Sequence, residues 1–446
     1  MKRYLYMALL VCCVSTMQLG SLVAQPKLTW HPTSGPIGGM VNDIATDSSG
    51  NVWLVTGRAG CYMSTDHANT WQAVNWNLPR TNLLRICPGK NGMIFAVSID
   101  KKQLYRLNTL TARPQWSWEI VPIDTNGAPI NDIATTTTDG EVIIAYGGVG
   151  MLRSTNNGAT WKVFGDSLKK ATALRVAHGT GGEYCLVAIG AGPNVPTVSH
   201  VYFTTNSGTS WSTYPKPLPG LSTMTGVVFN ANHRILVSSG ANDTRLPQFG
   251  GRIYYAADTG WVVVFQRPYT SEDGKNGVDK IVKVLPSATL YANVHGPTIR
   301  SVDGGLTWMP KDTNKRGDEP FSMTSSADEQ YLYESGEPDG VFGSTDLGLT
   351  WTEKNNGILA HFEYGLAINS KQHLFAITEY SLNRSTDNGA HWDYSTEYGE
   401  TYFPSIFIAK NDNIFIGYTL GLLRSTNNGE SFTPAAHIRS HPSSQT

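Results

Sequence analysis

The sequence predicts an all-β fold: a single large β-propeller of about nine four-stranded blades, within a range of eight to ten. Three observations predict it. A short turn phrase recurs along the chain at a spacing of about 40 to 52 residues, which is the range of propeller blades. Each interval divides into four short runs of apolar and β-branched residues, separated by turns rich in Gly, Asn and Asp. Of 446 residues, 45 are Gly and only 15% are charged, whereas a protein of long helices would carry far more Glu, Lys and Ala.

The first element is an export signal, assigned to residues 1–24. Lys2 and Arg3 give the positive start, an apolar stretch runs from Tyr4 to about Val14, and the small residue Ala24 precedes Gln25. The apolar run is shorter than the roughly 20 residues a membrane span needs. No other segment is long enough, so no transmembrane segment is expected in the mature chain. Cys12 and Cys13 lie in this run, but Val11 stands where a lipoprotein signal carries a small residue. The expected location is secreted, or periplasmic at the cell envelope. Beyond the signal remain Cys61, Cys87 and Cys185, too widely spaced for a disulfide framework or a zinc motif. They are expected as buried thiols in strands, with one disulfide pair as the alternative.

The propeller is assigned to 25–436. Its turn phrase is Ser or Thr, a gap, Asp or Asn, a gap, Gly, two further residues, then Trp or Phe. The copies are Ser64-Thr-Asp66-His-Ala-Asn-Thr-Trp71, Ser154-Thr-Asn156-Asn-Gly158-Ala-Thr-Trp161 and Thr204-Thr-Asn206-Ser-Gly208-Thr-Ser-Trp211. Further on stand Ser301-Val-Asp303-Gly-Gly305-Leu-Thr-Trp308, Ser344-Thr-Asp346-Leu-Gly348-Leu-Thr-Trp351, Ser385-Thr-Asp387-Asn-Gly389-Ala-His-Trp392 and Ser425-Thr-Asn427-Asn-Gly429-Glu-Ser-Phe432. Two eroded copies fill the gaps: Ala256-Ala-Asp258-Thr-Gly260-Trp261, and a stretch from Leu104 to Trp118 that keeps its strands and a late Trp. In the first unit the four strands read a 41–47, b 51–56, c 61–64 and d 70–74; in the ninth they read 405–409, 413–418, 422–425 and 431–434.

The phrase falls in the c–d hairpin, where it has a mechanical explanation. An Asp or Asn side chain accepts hydrogen bonds from backbone N–H groups two residues on and holds a tight turn. Gly takes a backbone angle other residues resist, and Trp packs the outer strand on a neighbour. Asp66, Asn156, Asn206, Asp303, Asp346, Asp387 and Asn427, with Trp71, Trp161, Trp211, Trp308, Trp351 and Trp392, are therefore read as architecture. One closed ring of nine is the first expectation, and two smaller propellers are the alternative. Leu28-Thr-Trp-His-Pro resembles a d strand and offers a clasp between the termini. The tail, 437–446, is expected to be disordered.

These turns resemble the Asp-box family, also called bacterial neuraminidase repeats, over nearly all of the mature chain. The resemblance implies a β-propeller. The family spans sialidases, xyloglucan-cleaving enzymes, sortilin-type receptor ectodomains and photosystem assembly factors. The first unit also looks like the propeller repeats of bacterial two-component sensors.

In a propeller the a strands line the central channel. The b–c and d–a loops share one face, and the c–d turns occupy the other. Long b–c loops at 190–200 and 240–251, the acidic run Glu334-Ser-Gly-Glu337-Pro-Asp339, and d–a loops at 214–222, 267–277 and 311–319 all fall on units 4 to 7. Any ligand site is expected there, near the channel mouth, with Arg245, Glu337 and Asp339 as candidates. Aligning the a strands puts Asp43, Arg85, Asp132, Arg175 and Lys283 in one column of alternating charge, each beside an aliphatic neighbour. Such a column either pairs charges between blades or binds a polar ligand such as a sugar or carboxylate.

Neither catalytic nor metal-ligating residues are assigned, and no cofactor is implied. A sialidase of this family carries an Arg-Ile-Pro phrase ahead of the first Asp box; the nearest match, Arg245-Leu-Pro247, lies in a loop of unit 5. A glycoside hydrolase would use opposed carboxylates; Asp43 and Asp132 are two blades apart, and nothing in the sequence marks them as an acid–base pair. A formal net charge of −1 with no basic run gives no case for nucleic acid. The leading expectation is an exported, non-catalytic propeller that binds a protein or carbohydrate partner through its loop-rich face. The alternative is a glycoside hydrolase, sialidase-like or xyloglucanase-like, with a diverged site at the channel mouth.

Overall fold

A computed structural model describes residues 38–110, 116–136, 140–147, 151–165, 168, 171–179, 181–190, 199–214, 218, 224–240, 251–267, 278–283, 289–294, 298–310, 319–326, 328, 330–337, 340–360, 365–377, 382–395, 405–418 and 421–437. The signal assignment, the Leu28 clasp, Arg245 and Asp339 lie outside them, as do most of the long loops expected on units 4 to 7. His437 ends the last strand, opposite Gly421; the rest of the predicted tail also lies outside.

Every regular element among the described residues is a strand. They form nine four-stranded antiparallel sheets, each following the chain in the order a, b, c, d. These blades, numbered 1 to 9, span 41–73, 83–120, 130–164, 171–213, 224–266, 278–310, 319–353, 365–395 and 405–437. The protein is thus a β-propeller chain with the expected number of blades. In blade 1 the strands are Val41–Thr46, Val52–Thr56, Cys61–Ser64 and Gln72–Ala73. Strand b of this blade is buried at all five positions, because both faces of a blade are covered by neighbours. That explains its unbroken apolar run, Val-Trp-Leu-Val, without polar alternation.

The core lies between blades rather than within one. Trp53, Val55 and Met63 of blade 1 meet Ile86, Ala96 and Tyr105 of blade 2. Equivalent clusters join blades 2 to 3, 3 to 4, 4 to 5, 5 to 6 and 6 to 7. The next cluster returns to the start: Tyr333 and Val341 of blade 7, with Ile358, pack on Val41, Leu54, Tyr62 and Trp71 of blade 1.

Hydrogen bonds seal the same junction. The Trp71 amide donates to the Asn356 carbonyl at 2.9 Å and its indole Nε1 to the Lys354 carbonyl at 2.7 Å. Lys354 Nζ donates to Asn69 Oδ1 at 2.8 Å. The short strands Gly38–Gly39 and Leu359–Ala360 pair in parallel. Blades 1 to 7 therefore close a circuit. The chain segment that follows blade 7 takes part in this closure. Blades 8 and 9 pack on each other through Phe375, Ile377 and Leu382 against Ile414, Ile416 and Leu423.

The repeat turn works as a small hydrogen-bonded cage. In blade 1 the Ser64 hydroxyl donates to Asp66 Oδ1 at 2.8 Å and accepts from the Ala68 amide at 2.9 Å. The Asp66 carboxylate accepts from the Thr70 amide at 2.9 Å and the Thr70 hydroxyl at 2.6 Å. The acceptor thus reaches the N–H four residues on, rather than two. The cage recurs around Asp303, Asp346 and Asp387, where His391 takes the place of Thr. In the neutral copies the amide reverses one bond: Nδ2 of Asn156, Asn206 and Asn427 donates to the hydroxyls of Thr160, Ser210 and Ser431.

Eroded unit 2 keeps one part of this device. Trp118 Nε1 donates to the Val74 carbonyl of blade 1 at 2.7 Å, the bond that Trp71 makes to Lys354 of blade 7. The late Trp replaces the turn Trp from a different strand position. Each buried indole contributes roughly 3 kcal/mol of burial beyond that bond.

Burial pushes the Asp303 and Asp346 carboxyls up, but the donors from Thr307 and Thr350, and then from Ser301 and Ser344, outweigh it and hold both at about 2. The amide and ring of His391 hold Asp387 at about 2. All lie below the unfolded value of about 3.9, so their contribution is complete above that value and is lost as pH falls toward 2. Replacing Asp303, Asp346 and Asp387 together by Asn, the residue three other copies use, is expected to move the acid-unfolding midpoint to lower pH in a circular-dichroism titration. An unchanged midpoint would contradict this reading of the cages.

Candidate functional site

The seven a strands of the closed circuit carry one shared irregularity. Register shifts fall between Val41 and Asp43, Leu83 and Arg85, Ile130 and Asp132, and Ala173 and Arg175. They recur between Met224 and Gly226, Val278 and Lys280, and Pro320 and Ser322. Such a bulge leaves one residue unpaired and re-aims the next. The residues that follow it form the column predicted from sequence: Asp43, Arg85, Asp132, Arg175, Gly226, Lys280 and Ser322. Lys283 is corrected to Lys280: Lys283 pairs with Leu290 at the far end of its strand, whereas Lys280 pairs with Asn293 at the level of the column. The bulge makes the polar-then-aliphatic pair Lys280-Ile281 the counterpart of Arg85-Ile86, and plain alternation does not reveal it. The a strands of blades 8 and 9 carry no such shift.

Three members of the column, Asp43, Asp132 and Arg175, latch their blades to neighbours. Asp43 is 3% exposed. Its Oδ2 accepts from the Ile86 amide of blade 2 at 3.0 Å, and its Oδ1 from its own neighbour, the Ile44 amide, at 3.1 Å. The Ser322 hydroxyl of blade 7 also donates to Oδ1, so one carboxylate spans three blades. Asp132 Oδ2 accepts from the Val176 amide of blade 4 at 3.1 Å. Arg175 Nε donates to the Thr225 carbonyl of blade 5 at 3.0 Å, and the Thr225 hydroxyl donates to the Val278 carbonyl of blade 6. In these contacts the charged side chains of Asp43, Asp132 and Arg175 meet backbone groups of the next blade.

Lys101, which sequence reading did not single out, joins this group. It sits in the b–c turn of blade 2 with φ of 60°, and its carbonyl accepts from the Ile130 amide at 2.7 Å. Burial lowers its ammonium pKa first, the positive charges of Arg175 and Arg85 lower it further, and Asp132 acts in the opposite sense. Arg85, Arg175 and Asp132 therefore stand near enough to Lys101 for their charges to act on it. Beside Lys101 opens a cavity of about 350 Å³, lined by Leu78, Pro79, Arg80, Asn82, Ile99 and Asp100 among others. Its walls are a d–a loop and a b–c turn, which confirms for this blade that both share a face. Arg80 and Asp100 pair across it at 3.1 Å.

A Tyr–Glu pair is also present, at the opposite end of the blades. Glu141, buried, sits in the a–b turn of blade 3. It accepts from the Tyr184 hydroxyl of blade 4 and from Arg153 Nε, and lies 3.4 Å from His178 Nε2. Burial raises the Glu141 pKa, but these donors outweigh it and lower the carboxyl overall. The cluster cross-links two a–b turns on the side of the repeat turns, away from the channel mouth. His233 Nδ1 and Glu183 Oε2, 2.7 Å apart, do the same for blades 4 and 5.

Of the remaining candidates, Glu337 ends strand b of blade 7, paired with Glu319. Cys61, Cys87 and Cys185 form no disulfide with one another. Burial pushes the thiols of Cys61 and Cys185 far up, so both are inert.

No family model matches the chain, and no curated protein matches it. Among solved structures it is similar to the extracellular domain of BT4673 from B. thetaiotaomicron, with 12% identity and a TM-score of 0.26 over 94% of this chain and 62% of that one. It is also similar to the GH74 xyloglucanase from Xanthomonas campestris, with 11% identity and a TM-score of 0.34 over 91% of this chain and 88% of the enzyme. YCF48 from Cyanidioschyzon merolae matches with 15% identity and a TM-score of 0.38 over 68% of this chain and 97% of that one. The chain spans less than two thirds of the first of these.

If Asp43 is an inter-blade latch, Asp43→Ala strands two buried N–H groups and a hydroxyl, at a cost of about 3 kcal/mol in urea unfolding. Stability within about 0.5 kcal/mol of the parent would assign the carboxylate to a ligand instead.

Proposed function

We propose that this chain is an exported, non-catalytic β-propeller of the Asp-box kind that binds an acidic segment of a protein or glycan partner on the face carrying its b–c and d–a loops. One observation carries the reading: the positive charges of Arg85 and Arg175 act on Lys101, with Asp132 opposing them, and a cavity lined by Arg80 and Asp100 among others opens next to Lys101 on the loop-bearing face. An anion there would relieve the mutual repulsion of the cations. Asp43 and Asp132, the two carboxylates weighed for a hydrolase, accept hydrogen bonds from the backbone of the next blade. That engagement favours binding over hydrolysis. The predicted signal in 1–24 supports export, and no helix among the described residues is long and apolar enough to cross a membrane.

The test pairs two assays on the purified chain. A panel of acidic peptides and acidic oligosaccharides is screened by calorimetry, and the combined Arg85→Ala and Lys101→Ala variant is expected to lose at least about ten-fold in affinity, or 1.4 kcal/mol. A panel of fluorogenic sialosides and β-glucans is expected to show no turnover. Turnover abolished by Asp132→Asn would replace this reading with the glycoside hydrolase, and binding unaffected by the double variant would remove the site from the channel mouth.

A further inference from the structure

The a strands of blades 8 and 9 carry exposed apolar side chains, although on blade 8 the inner positions Ala376 and Asn383 of strands b and c are buried. In blades 1, 3, 5 and 6 strand b is buried at all five positions. Strand b of blade 9, Ile414–Tyr418, alternates between buried and half-buried. In the two a strands, Gly365–Ile368 and Ser405–Ile408, one set of side chains fills the core shared by blades 8 and 9: Ala367, Ile406 and Ile408. The alternate set points outward. Leu366 is 72% exposed, Ile368 52% and Phe407 64%. Phe407 lies against Phe415, with ring centroids 6.5 Å apart. Alternation along a strand places Leu366 and Ile368 on the side of blade 8 away from blade 9, and Phe407 and Phe415 on the side of blade 9 away from blade 8.

A hydrogen-bond pattern says what belongs on those faces. An arginine on strand c of one blade donates to a backbone carbonyl in the c–d turn of the next. Arg106 NH1 reaches the Asn157 carbonyl at 2.6 Å, Arg153 NH1 that of Ser207 at 3.3 Å, and Arg384 NH1 that of Asn428 at 3.0 Å. Each acceptor residue has positive φ, at 54°, 56° and 62°. Arg424 of blade 9 occupies the donor position, since it pairs with Phe415 as Arg384 pairs with Phe375, and it is exposed. Asn388 of blade 8 occupies the acceptor position with φ of 59°. The two-blade unit therefore ends in a donor and an apolar face on one side, and in the matching acceptor and apolar face on the other. It is complementary to itself, head to tail.

We propose that this surface takes a second copy of the same chain. Blade 9 of one copy docks on blade 8 of the next, continuing the interface that already joins blades 8 and 9 within one chain. Phe407 and Phe415 cover Leu366 and Ile368, and Arg424 donates to the Asn388 carbonyl. Such a heterologous contact closes into a ring or extends as a filament. The intrachain circuit closes with seven blades, so contributions of two blades close at about three or four copies.

The experiment is sedimentation velocity of the full chain over a wide concentration range, with Phe407→Asp and Leu366→Asp as variants. Both positions are exposed, so circular dichroism and melting should match the parent. The parent is expected to self-associate, and each variant alone to dissociate at least about ten-fold more readily. The decisive arm mixes the two variants. Each keeps one intact face, so the mixture should form a dimer and nothing larger. Leu306→Asp, an exposed apolar residue on the c–d turn of blade 6, should leave association unchanged. A parent that stays monomeric throughout overturns the proposal, as does a mixture that remains monomeric.

Discussion

The architecture depends on the junction between blade 7 and blade 1. In blades 1, 3, 5 and 6 strand b is buried at every position and needs cover on both faces. A row of blades leaves two faces open, and only closure removes them. Here closure is made by Trp71, whose amide and indole bond the carbonyls of Asn356 and Lys354, and by the parallel pairing of Gly38–Gly39 with Leu359–Ala360. Gly357 makes the approach feasible: with φ of 94°, a β-carbon there would stand 2.3 Å from the Trp71 carbonyl oxygen. The junction thus ties a turn from the start of the circuit to the segment that leaves its last blade.

From that closure follow the two ends of the channel. The column behind the a-strand bulges holds neighbouring blades by charge-to-backbone bonds, of which Asp43 makes the most. The repeat turns hold the other end, along with the Glu141, Tyr184 and Arg153 cross-link. Carboxylates engaged in architecture at both ends leave the cations of blades 2 to 4 as the chemically distinctive group. Arg175 belongs both to these cations and to the residues that hold blades together, since its Nε also donates to the Thr225 carbonyl of blade 5.

Much of this was legible in the sequence. The blade number, the four strands of each blade and the place of the repeat turn follow from periodicity and turn chemistry, and strand b of blade 1 differs from its predicted bounds by one residue. The column was legible for Asp43, Arg85, Asp132 and Arg175. It failed at Lys283 because a bulge adds an unpaired residue that alternation does not register. The closing blade was not legible, because every inter-blade interface uses the same apolar grammar and none marks itself as last. Lys101 was invisible for a related reason: a lysine in a short turn looks like solvent-exposed surface until its neighbours from two other blades are in place. The Glu141 cluster likewise draws its donors from strands and turns of two blades.

Deletion of 365–446 tests the account most directly, by asking whether blades 1 to 7 are complete without blades 8 and 9. The truncated chain is predicted to keep the far-ultraviolet spectrum of a β-propeller and to unfold in one cooperative transition, with the amides of Gly38 and Trp71 protected from hydrogen exchange as in the full chain. Loss of cooperative unfolding, or rapid exchange at those two amides, would show that blade 1 depends on the deleted blades and would contradict closure at blade 7.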